Sequence, residues 1–317
     1  MARDAILLAF DGPAAAEWAA ELRSHAAGRD IRVWADTTSN LADVAIACVW
    51  RPPQGLLKRC SNLRAIINLG AGVDWLMSDP STPDVPIARV VHPNLTSQLV
   101  EYVVLHTLMH HRRQRLYDTQ QRERRWQVHD QPAAAEVAVG VMGLGAIGAA
   151  AAQALARLGY QVAGWSRTPK AISGIQNFHG KAQLDAFLAR TEILACLLAQ
   201  TPQTERLLNH SLFRKLKRDG SAGGAFLINA ARGGLQVDAD IVAALNDGTL
   251  AGATLDVFPQ EPLPADSPLW PHPKVTITPH HAGDISPRAY VRELMAQIER
   301  VERGQPLANL IDRKRGY

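Results

Sequence analysis

The sequence is poor in cysteine, with three in 317 residues: Cys48, Cys60 and Cys196. Their spacing suits neither a disulfide framework nor a zinc site, so no metal is expected and a reducing cytoplasm is the default compartment. Long apolar runs are missing too. No stretch approaches the ~18 consecutive apolar residues of a membrane span, so no membrane partner is expected. The opening MARDAILLAFDG has too short an apolar stretch, with an early acid, to resemble a signal peptide, and reads as a first strand. Neither an internal repeat nor a low-complexity segment is present. What remains is the composition of a soluble globular protein, 47% hydrophobic and 20% charged, with a length that suggests about two domains.

Excess charge of one sign is small, +4, enough to favour anionic small molecules. The densest basic stretch, His110-His111-Arg112-Arg113-Gln114-Arg115 and then Arg122 to Arg125, falls on a predicted long helix with few aromatics interleaved. A solvated or subunit-facing helix explains it. No nucleic-acid module motif accompanies it, so nucleic acid is not an expected partner.

The most informative stretch is Val137 to Gly148, VAVGVMGLGAIG, running on into AAAAQALARLGY. A Val-rich run, then Gly143-x-Gly145-x-x-Gly148, then a helix of small residues is the order of a dinucleotide-binding βαβ unit. Gly143 allows the tight turn, Gly145 lets the backbone approach a pyrophosphate, and Gly148 lets the helix lie close on the strand. The helix start, with Ala146 and Ile147, offers N–H groups and a positive dipole end to phosphates. The next strand, Tyr160 to Trp165, ends in Ser166-Arg167-Thr168, where an NAD site usually carries an acid for the ribose 2′-OH. Here there is none. Arg167 can pair instead with a 2′-phosphate, aided by Ser166 and Thr168, so NADPH is expected over NADH. Read as a solvated loop arginine, Arg167 leaves the choice open.

Along the rest of the chain, strands alternate with helices. Strands are expected at 5–10, 31–34, 45–49 and 65–69, helices at 13–25 and 56–60. One long helix is expected over Leu95 to Trp126, capped by Thr96 or Ser97 and carrying Leu99, Val103, Val104, Thr107 and Leu108 at helical spacing. It reads as an interdomain and dimer-forming helix. Beyond strand two come helices at 184–189, 211–218, 238–246 (with an acidic N-cap) and 287–303, and strands at 193–198, 225–229, 252–257 and 275–278. On the last helix Val291, Leu294, Ile298 and Val301 share one face. Such alternation implies parallel sheets covered on both faces, with ligands at the carboxyl ends of the strands.

Several such ends carry chemistry. Gly70-Ala71-Gly72-Val73 follows one strand, and a turn of that kind entering a helix exposes consecutive N–H groups that can hold a carboxylate; it is equally a plain strand-to-helix turn. Trp50, at another end, is either a pocket wall or a core tryptophan. Arg232, Glu261 and His280 follow three further strands. Reduction of a keto acid needs such a set: Arg232 to bind the carboxylate and polarise the carbonyl, His280 as general acid, and Glu261 to orient the imidazole.

These residues sit in LGAGVD (69–74), GVMGLGAIG (140–148), INAARGG (228–234), LDVFPQEPLP (255–264) and TITPHHAG (276–283). The chain thereby resembles the D-isomer-specific 2-hydroxyacid dehydrogenases over nearly its whole length. Within that family it is most similar to the glyoxylate/hydroxypyruvate reductase A group, through CVWRPP (48–53), GWSRT (164–168), SPLWPHPKVTITPH (267–280) and DRKRGY (312–317). The resemblance implies NADPH-dependent reduction of glyoxylate to glycolate and of hydroxypyruvate to D-glycerate by a homodimer. It implies that Arg232, Glu261 and His280 are catalytic and that Trp50, Ala71, Gly72, Val73, Arg232 and His280 meet the substrate. It implies cofactor contacts from Trp165, Leu198, Ala199, Pro202, Ala230, Ala231, Arg232 and His280, with Asp256 and Ala282 at the nicotinamide amide. The expected architecture is α/β, two doubly wound parallel-sheet domains: a Rossmann dinucleotide-binding domain (98–283, with the long helix) inserted into a flavodoxin-like substrate domain (1–97 plus 284–317).

The chain departs from the family pattern at His281-Ala282-Gly283-Asp284, where small apolar residues are more usual, which bears on substrate preference. It also ends without the regulatory extension of some phosphoglycerate dehydrogenases, which argues against that activity. Competing expectations are a corepressor-like protein that senses NAD(P)H on the same fold, and a relative acting on a bulkier D-2-hydroxy acid.

Overall fold

The computed structural model describes residues 5–10, 14–26, 28–34 and 40–316. Twelve strands are found among them: β1 (Ala5–Phe10), β2 (Ile31–Val33), β3 (Val44–Trp50), β4 (Ala65–Asn68), β5 (Ile87–Arg89), β6 (Ala138–Met142), β7 (Gln161–Ser166), β8 (Gln176–His179), β9 (Ile193–Cys196), β10 (Phe226–Asn229), β11 (Gly252–Leu255) and β12 (Val275–Ile277). The α-helices are α1 (Ala14–His25), α2 (Asp74–Ser78), α3 (Pro93–His111), α4 (Gln114–Arg122), α5 (Ala146–Arg157), α6 (Leu184–Ala189), α7 (His210–Phe213), α8 (Asp238–Asn246) and α9 (Pro287–Glu302). The chain divides into two compact units, Met1–Leu95 with Asp284–Tyr317, and Thr96–Gly283.

The first unit is built on a parallel sheet in the order β2-β1-β3-β4-β5, the flavodoxin-like winding. Its central strand, VAIACVW, is buried at six of seven positions, as a strand covered on both faces must be. Helix α9 starts with Ser286 as N-cap and Pro287 in the first turn, where a missing N–H costs nothing. It buries Tyr290, Val291, Leu294 and Ile298, while Val301 is half-buried. Its last turn is clamped by Arg29, whose Nε and Nη2 donate to the two oxygens of Glu302, each at 2.7 Å. The C-terminal segment then runs along the edge of β5, where Ile311 N–H donates to the Ile87 carbonyl at 2.8 Å.

The second unit is built on a seven-stranded parallel sheet, β12-β11-β10-β9-β6-β7-β8. Counted from β6 this is the dinucleotide-binding order 3-2-1-4-5-6 with one strand added. The switch point lies between β6 and β9. Ligands of such sheets collect there, beyond the carboxyl ends.

Four expectations need correction. The long helix is broken: Arg113 adopts a left-handed conformation (φ 55°) that closes α3 before α4 begins, and nothing in HRRQ announces it. Tertiary contacts impose the break. His111 is bonded to Tyr160 and to the Pro132 carbonyl, while Arg115 reaches the Pro273 carbonyl and Thr276. Second, α3 starts at Pro93, with the His92 imidazole accepting from Asn94 N–H at 3.1 Å, so neither Thr96 nor Ser97 is the cap. Third, α7 ends at Phe213, because Lys217 N–H is drawn to the Thr191 carbonyl, and the N-cap of α8 is Val237, with Asp238 its first helical residue. Fourth, strands β5 and β8, which are short, were not expected. Pro13, the expected start of α1, lies outside the described residues, as do the ends of the N-terminal stretch.

The basic stretch is also not uniformly solvated. His110 and His111 are buried. His110 Nε2 lies 3.0 Å from Thr254 Oγ1 and its ring packs on Phe226. Burial, reinforced by His106 and Arg115, pushes the His110 imidazole down to about 3 from its ordinary 6.5. The unfolded chain therefore takes up a proton that folded His110 refuses, so stability is lost as pH falls from 6.5 toward 3. In His110→Gln this component vanishes. Urea unfolding between pH 7.5 and 4 is expected to show a shallower acid loss in the variant, by up to one proton; equal slopes would contradict a buried neutral His110.

Candidate active site

At the switch point β6 runs into α5 through the three glycines. Gly143 has φ 109°, and a Cβ there would lie 2.7 Å from the Leu197 carbonyl. A Cβ on Gly148 would run into the Gly143 carbonyl oxygen, which fixes how closely α5 lies on the turn. Gly145 is different: nothing of the protein stands within 4 Å of where its Cβ would be. It is the N-cap of α5, so the one open glycine faces the end where the first-turn N–H groups are unpaired within the helix. Such a cradle fits a pyrophosphate, and the chain supplies the donors without a side-chain charge.

Beside it, β7 ends with Ser166 buried and Arg167 and Thr168 exposed. Trp165 is buried, its indole N–H donating to the Gly180 carbonyl at 3.0 Å, so its ring belongs to the core. Ser166 Oγ donates to the Thr168 carbonyl at 2.8 Å, shaping the turn that presents Arg167. Beyond β9, Leu198 is half-buried and Ala199 and Pro202 are exposed.

Strands β10, β11 and β12 are neighbours in the sheet and all parallel. Adjacent strands are ~4.8 Å apart, so the segments after them emerge within roughly 10 Å of one another. Those segments carry Arg232, Asp256 with Glu261, and His280. Gly233 lies so close to the Phe258 carbonyl that no side chain would fit, which packs the arginine segment onto the glutamate segment. Asn229 Nδ2 donates to the Arg232 carbonyl, and Arg232 Nη1 to the Ala231 carbonyl at 2.8 Å. Ala230 and Ala231 are buried beneath.

Glu261 Oε1 accepts from Phe258 N–H at 3.0 Å, and Oε2 lies 2.8 Å from His280 Nδ1. A carboxylate only accepts, so Nδ1 carries the proton of this bond and Nε2 is left to exchange one with a ligand. His280 has φ 54°, a left-handed backbone that non-glycine residues adopt only under constraint. Asp256, buried, accepts the N–H groups of His281 at 2.8 Å and Ala282 at 3.0 Å. The amide of Ala282 is thus committed, and only its carbonyl can meet a ligand.

In the first unit, the carbonyls of Gly70 and Gly72 accept from Asn68 Nδ2 at 2.5 and 3.0 Å, and that of Ala71 from Arg89 Nη1 at 2.9 Å. In a trans peptide the N–H points opposite to the C=O. Tying these three carbonyls inward therefore turns the N–H groups of Ala71, Gly72 and Val73 the other way, as an anion-binding turn requires. Burial lowers the pKa of Arg89 from its ordinary value. The Trp50 ring lies on Gly70 so closely that a methyl there would collide with it. Asn68 and Arg89 were not anticipated, since a strand-end Asn and Arg carry no motif. Among the described residues no group of three His, Cys, Asp or Glu is placed to hold a metal, and no helix is long and apolar enough to cross a membrane.

Comparison with known proteins agrees with this geometry. The family model of the NAD-binding domain of D-isomer specific 2-hydroxyacid dehydrogenases matches residues 104–282. Glyoxylate/hydroxypyruvate reductase A of Yersinia enterocolitica is 39% identical over 309 residues, 96% of each chain, and that of Serratia proteamaculans is 39% identical over the same length. The NADPH-dependent glyoxylate/hydroxypyruvate reductase of Sinorhizobium meliloti, solved with NADP and sulfate, superposes with a TM-score of 0.94 at 38% identity, covering 99% of this chain and 100% of that one. A probable 2-hydroxyacid dehydrogenase from Rhizobium etli, solved with NADP, HEPES and L(+)-tartaric acid, gives 0.91 at 42% identity, covering 99% of both.

The glycines separate folding from binding. Gly148→Ala is expected to lose about 1–3 kcal/mol of stability through overpacking. Gly145→Ala should leave thermal unfolding unchanged and weaken dinucleotide binding at least tenfold by titration calorimetry. Equal binding by Gly145→Ala and the wild type would remove Gly145 from the site.

Proposed function

This chain belongs to the D-isomer specific 2-hydroxyacid dehydrogenase family, and from that premise we propose that it is an NADPH-preferring reductase converting glyoxylate to glycolate and hydroxypyruvate to D-glycerate. The observation that carries the reading is the 2.8 Å Glu261–His280 pair at a strand end two places from that of Arg232, on the same sheet edge as the glycine cradle. A protein that only sensed the dinucleotide would not need this set.

The cradle formed by Gly143, Gly145, Ala146, Ile147 and Gly148 would hold the pyrophosphate, and Arg167 with Thr168 the 2′-phosphate. Leu198, Ala199 and Pro202 would line the adenosine side, with Ala230, Ala231, Asp256 and Ala282 toward the nicotinamide. NADPH held there would supply a hydride to the substrate carbonyl carbon. Arg232 binds the α-carboxylate and carbonyl oxygen, and its charge stabilises the negative charge that develops on that oxygen. His280 donates the proton on Nε2 to the same oxygen, while Glu261 holds Nδ1 and fixes the orientation of the ring. Within the first unit, the N–H groups of Ala71, Gly72 and Val73 form a turn that fits a carboxylate, with the Trp50 ring beside it.

The relatives named as glyoxylate/hydroxypyruvate reductase A and the NADP-bound neighbours support the substrate and cofactor assignments. We also read the assembly as a cytoplasmic homodimer. Trp126 and Val128, beyond α4, are 98% and 83% exposed, and a facing copy would cover them.

Two substitutions test the reading. Arg232→Ala is expected to fold and to lose about 100–1000-fold in kcat/KM for glyoxylate; near-normal turnover in the folded variant would refute the assignment. Arg167→Ala is expected to raise the KM for NADPH by roughly 10–100-fold, the worth of a charge-assisted hydrogen bond, with NADH kinetics unchanged. Parallel loss with both cofactors would remove Arg167 from the 2′-phosphate.

A further inference from the structure

A chain of two hydroxyls in the second unit ends on the Asp256 carboxylate. Thr278 Oγ1 donates to Asp256 Oδ1 at 2.6 Å, and Tyr102 Oη lies 2.7 Å from the same Oγ1. A hydroxyl has one proton, and that of Thr278 is committed to an oxygen that can only accept. Tyr102 is therefore the donor to Thr278, and the chain has one direction, from Tyr102 through Thr278 to Asp256. Burial holds the Tyr102 phenol above its ordinary value, so it stays protonated, and its ring packs on His106 with centroids 4.2 Å apart.

Asp256 gathers the amides of three consecutive residues. Its carbonyl accepts His280 N–H at 2.7 Å, and its carboxylate accepts those of His281 and Ala282. These bonds surround the residue with the left-handed backbone, His280. Such a conformation costs of order 1–3 kcal/mol and persists only where the surroundings over-determine it. The Asp256 carboxylate can do so only while its own orientation is fixed. Thr278, held in turn by Tyr102 from α3, fixes it.

We propose that Tyr102 and Thr278 are positioning residues for proton transfer, acting through Asp256 to hold the His280 segment in the conformation that aims the imidazole at the substrate. The proposal rests on the reading of His280 as the general acid. Neither residue touches the reacting atoms. Both act by removing freedom from a carboxylate and, through it, from three amides.

Thr278→Val removes donor and acceptor, Thr278→Ser keeps both, and Tyr102→Phe removes only the outer donor. For Thr278→Val, kcat for hydroxypyruvate reduction is expected to fall roughly 10–100-fold, the scale of a small misplacement of a catalytic group, while KM moves less than about threefold. Thr278→Ser should stay within about twofold of wild type, with Tyr102→Phe between the two. Hydrogen exchange on the intact protein reads the segment without activity: residues 280–282 should exchange roughly tenfold faster in Thr278→Val and be restored in Thr278→Ser. Unchanged exchange overturns the proposal. So does faster exchange with an unaffected kcat, a change in KM alone, or a serine variant as impaired as the valine one. If Thr278→Val does not fold, Tyr102→Phe carries the same readouts. A wild type that reduces no 2-keto acid would refute the functional reading instead, and the exchange data then decide alone whether the hydroxyls hold the segment.

Discussion

A carboxylate accepts hydrogen bonds and cannot donate them, and this restriction, applied twice on neighbouring turns, organises the carboxyl edge of the larger sheet. Asp256 collects N–H groups from the segment after β12 and fixes its path. Glu261 takes one backbone N–H with one oxygen and the His280 ring with the other, which settles the nitrogen that bonds inward and the one that is offered outward. Replace either acceptor by a group that can also donate, and the proton arrangement is no longer unique. The parallel sheet makes the arrangement possible by ending β10, β11 and β12 side by side on one edge.

Backbone geometry performs much of the remaining work. In the first unit three successive carbonyls are fastened to Asn68 and Arg89, so that three N–H groups face the other way. In the second unit Gly143 and Gly148 are closed against neighbouring backbone and Gly145 is left open. In both, the donors are amides whose orientation is settled by packing before any ligand arrives. Side-chain charge enters this edge through two arginines past strand ends, Arg232 after β10 and Arg167 after β7.

The parts that were legible in the sequence are those whose physical demand is local. A glycine needed for a tight turn or a close approach announces itself, and a polar residue just past an apolar run marks a strand end. Hence the glycine turn between β6 and α5, the strand-end positions of Arg232, Glu261 and His280, and most strands of both sheets could be read from the chain, whereas the short edge strands β5 and β8 could not. The parts that were not legible depend on partners distant in sequence. Nothing near Arg113 predicts a left-handed residue in a helical pattern; the contacts of His111 with Tyr160 and of Arg115 with Pro273 and Thr276 create it. His110 and His111 look like part of a solvated basic face until Thr254, Phe226 and Tyr160 are placed around them. Likewise Tyr102 resembles any helical core residue, and only the fold brings its hydroxyl to Thr278, 176 positions away.

The central claim is that this edge delivers a hydride and a proton to a small 2-keto acid. It is tested most directly by following nicotinamide absorbance with purified wild-type protein, offering NADPH or NADH with glyoxylate, hydroxypyruvate, pyruvate and phenylpyruvate in parallel. The account predicts rapid NADPH oxidation with glyoxylate and hydroxypyruvate, slower oxidation with NADH, and little with phenylpyruvate. Absence of turnover with all four acids, in protein shown to bind NADPH, would contradict it.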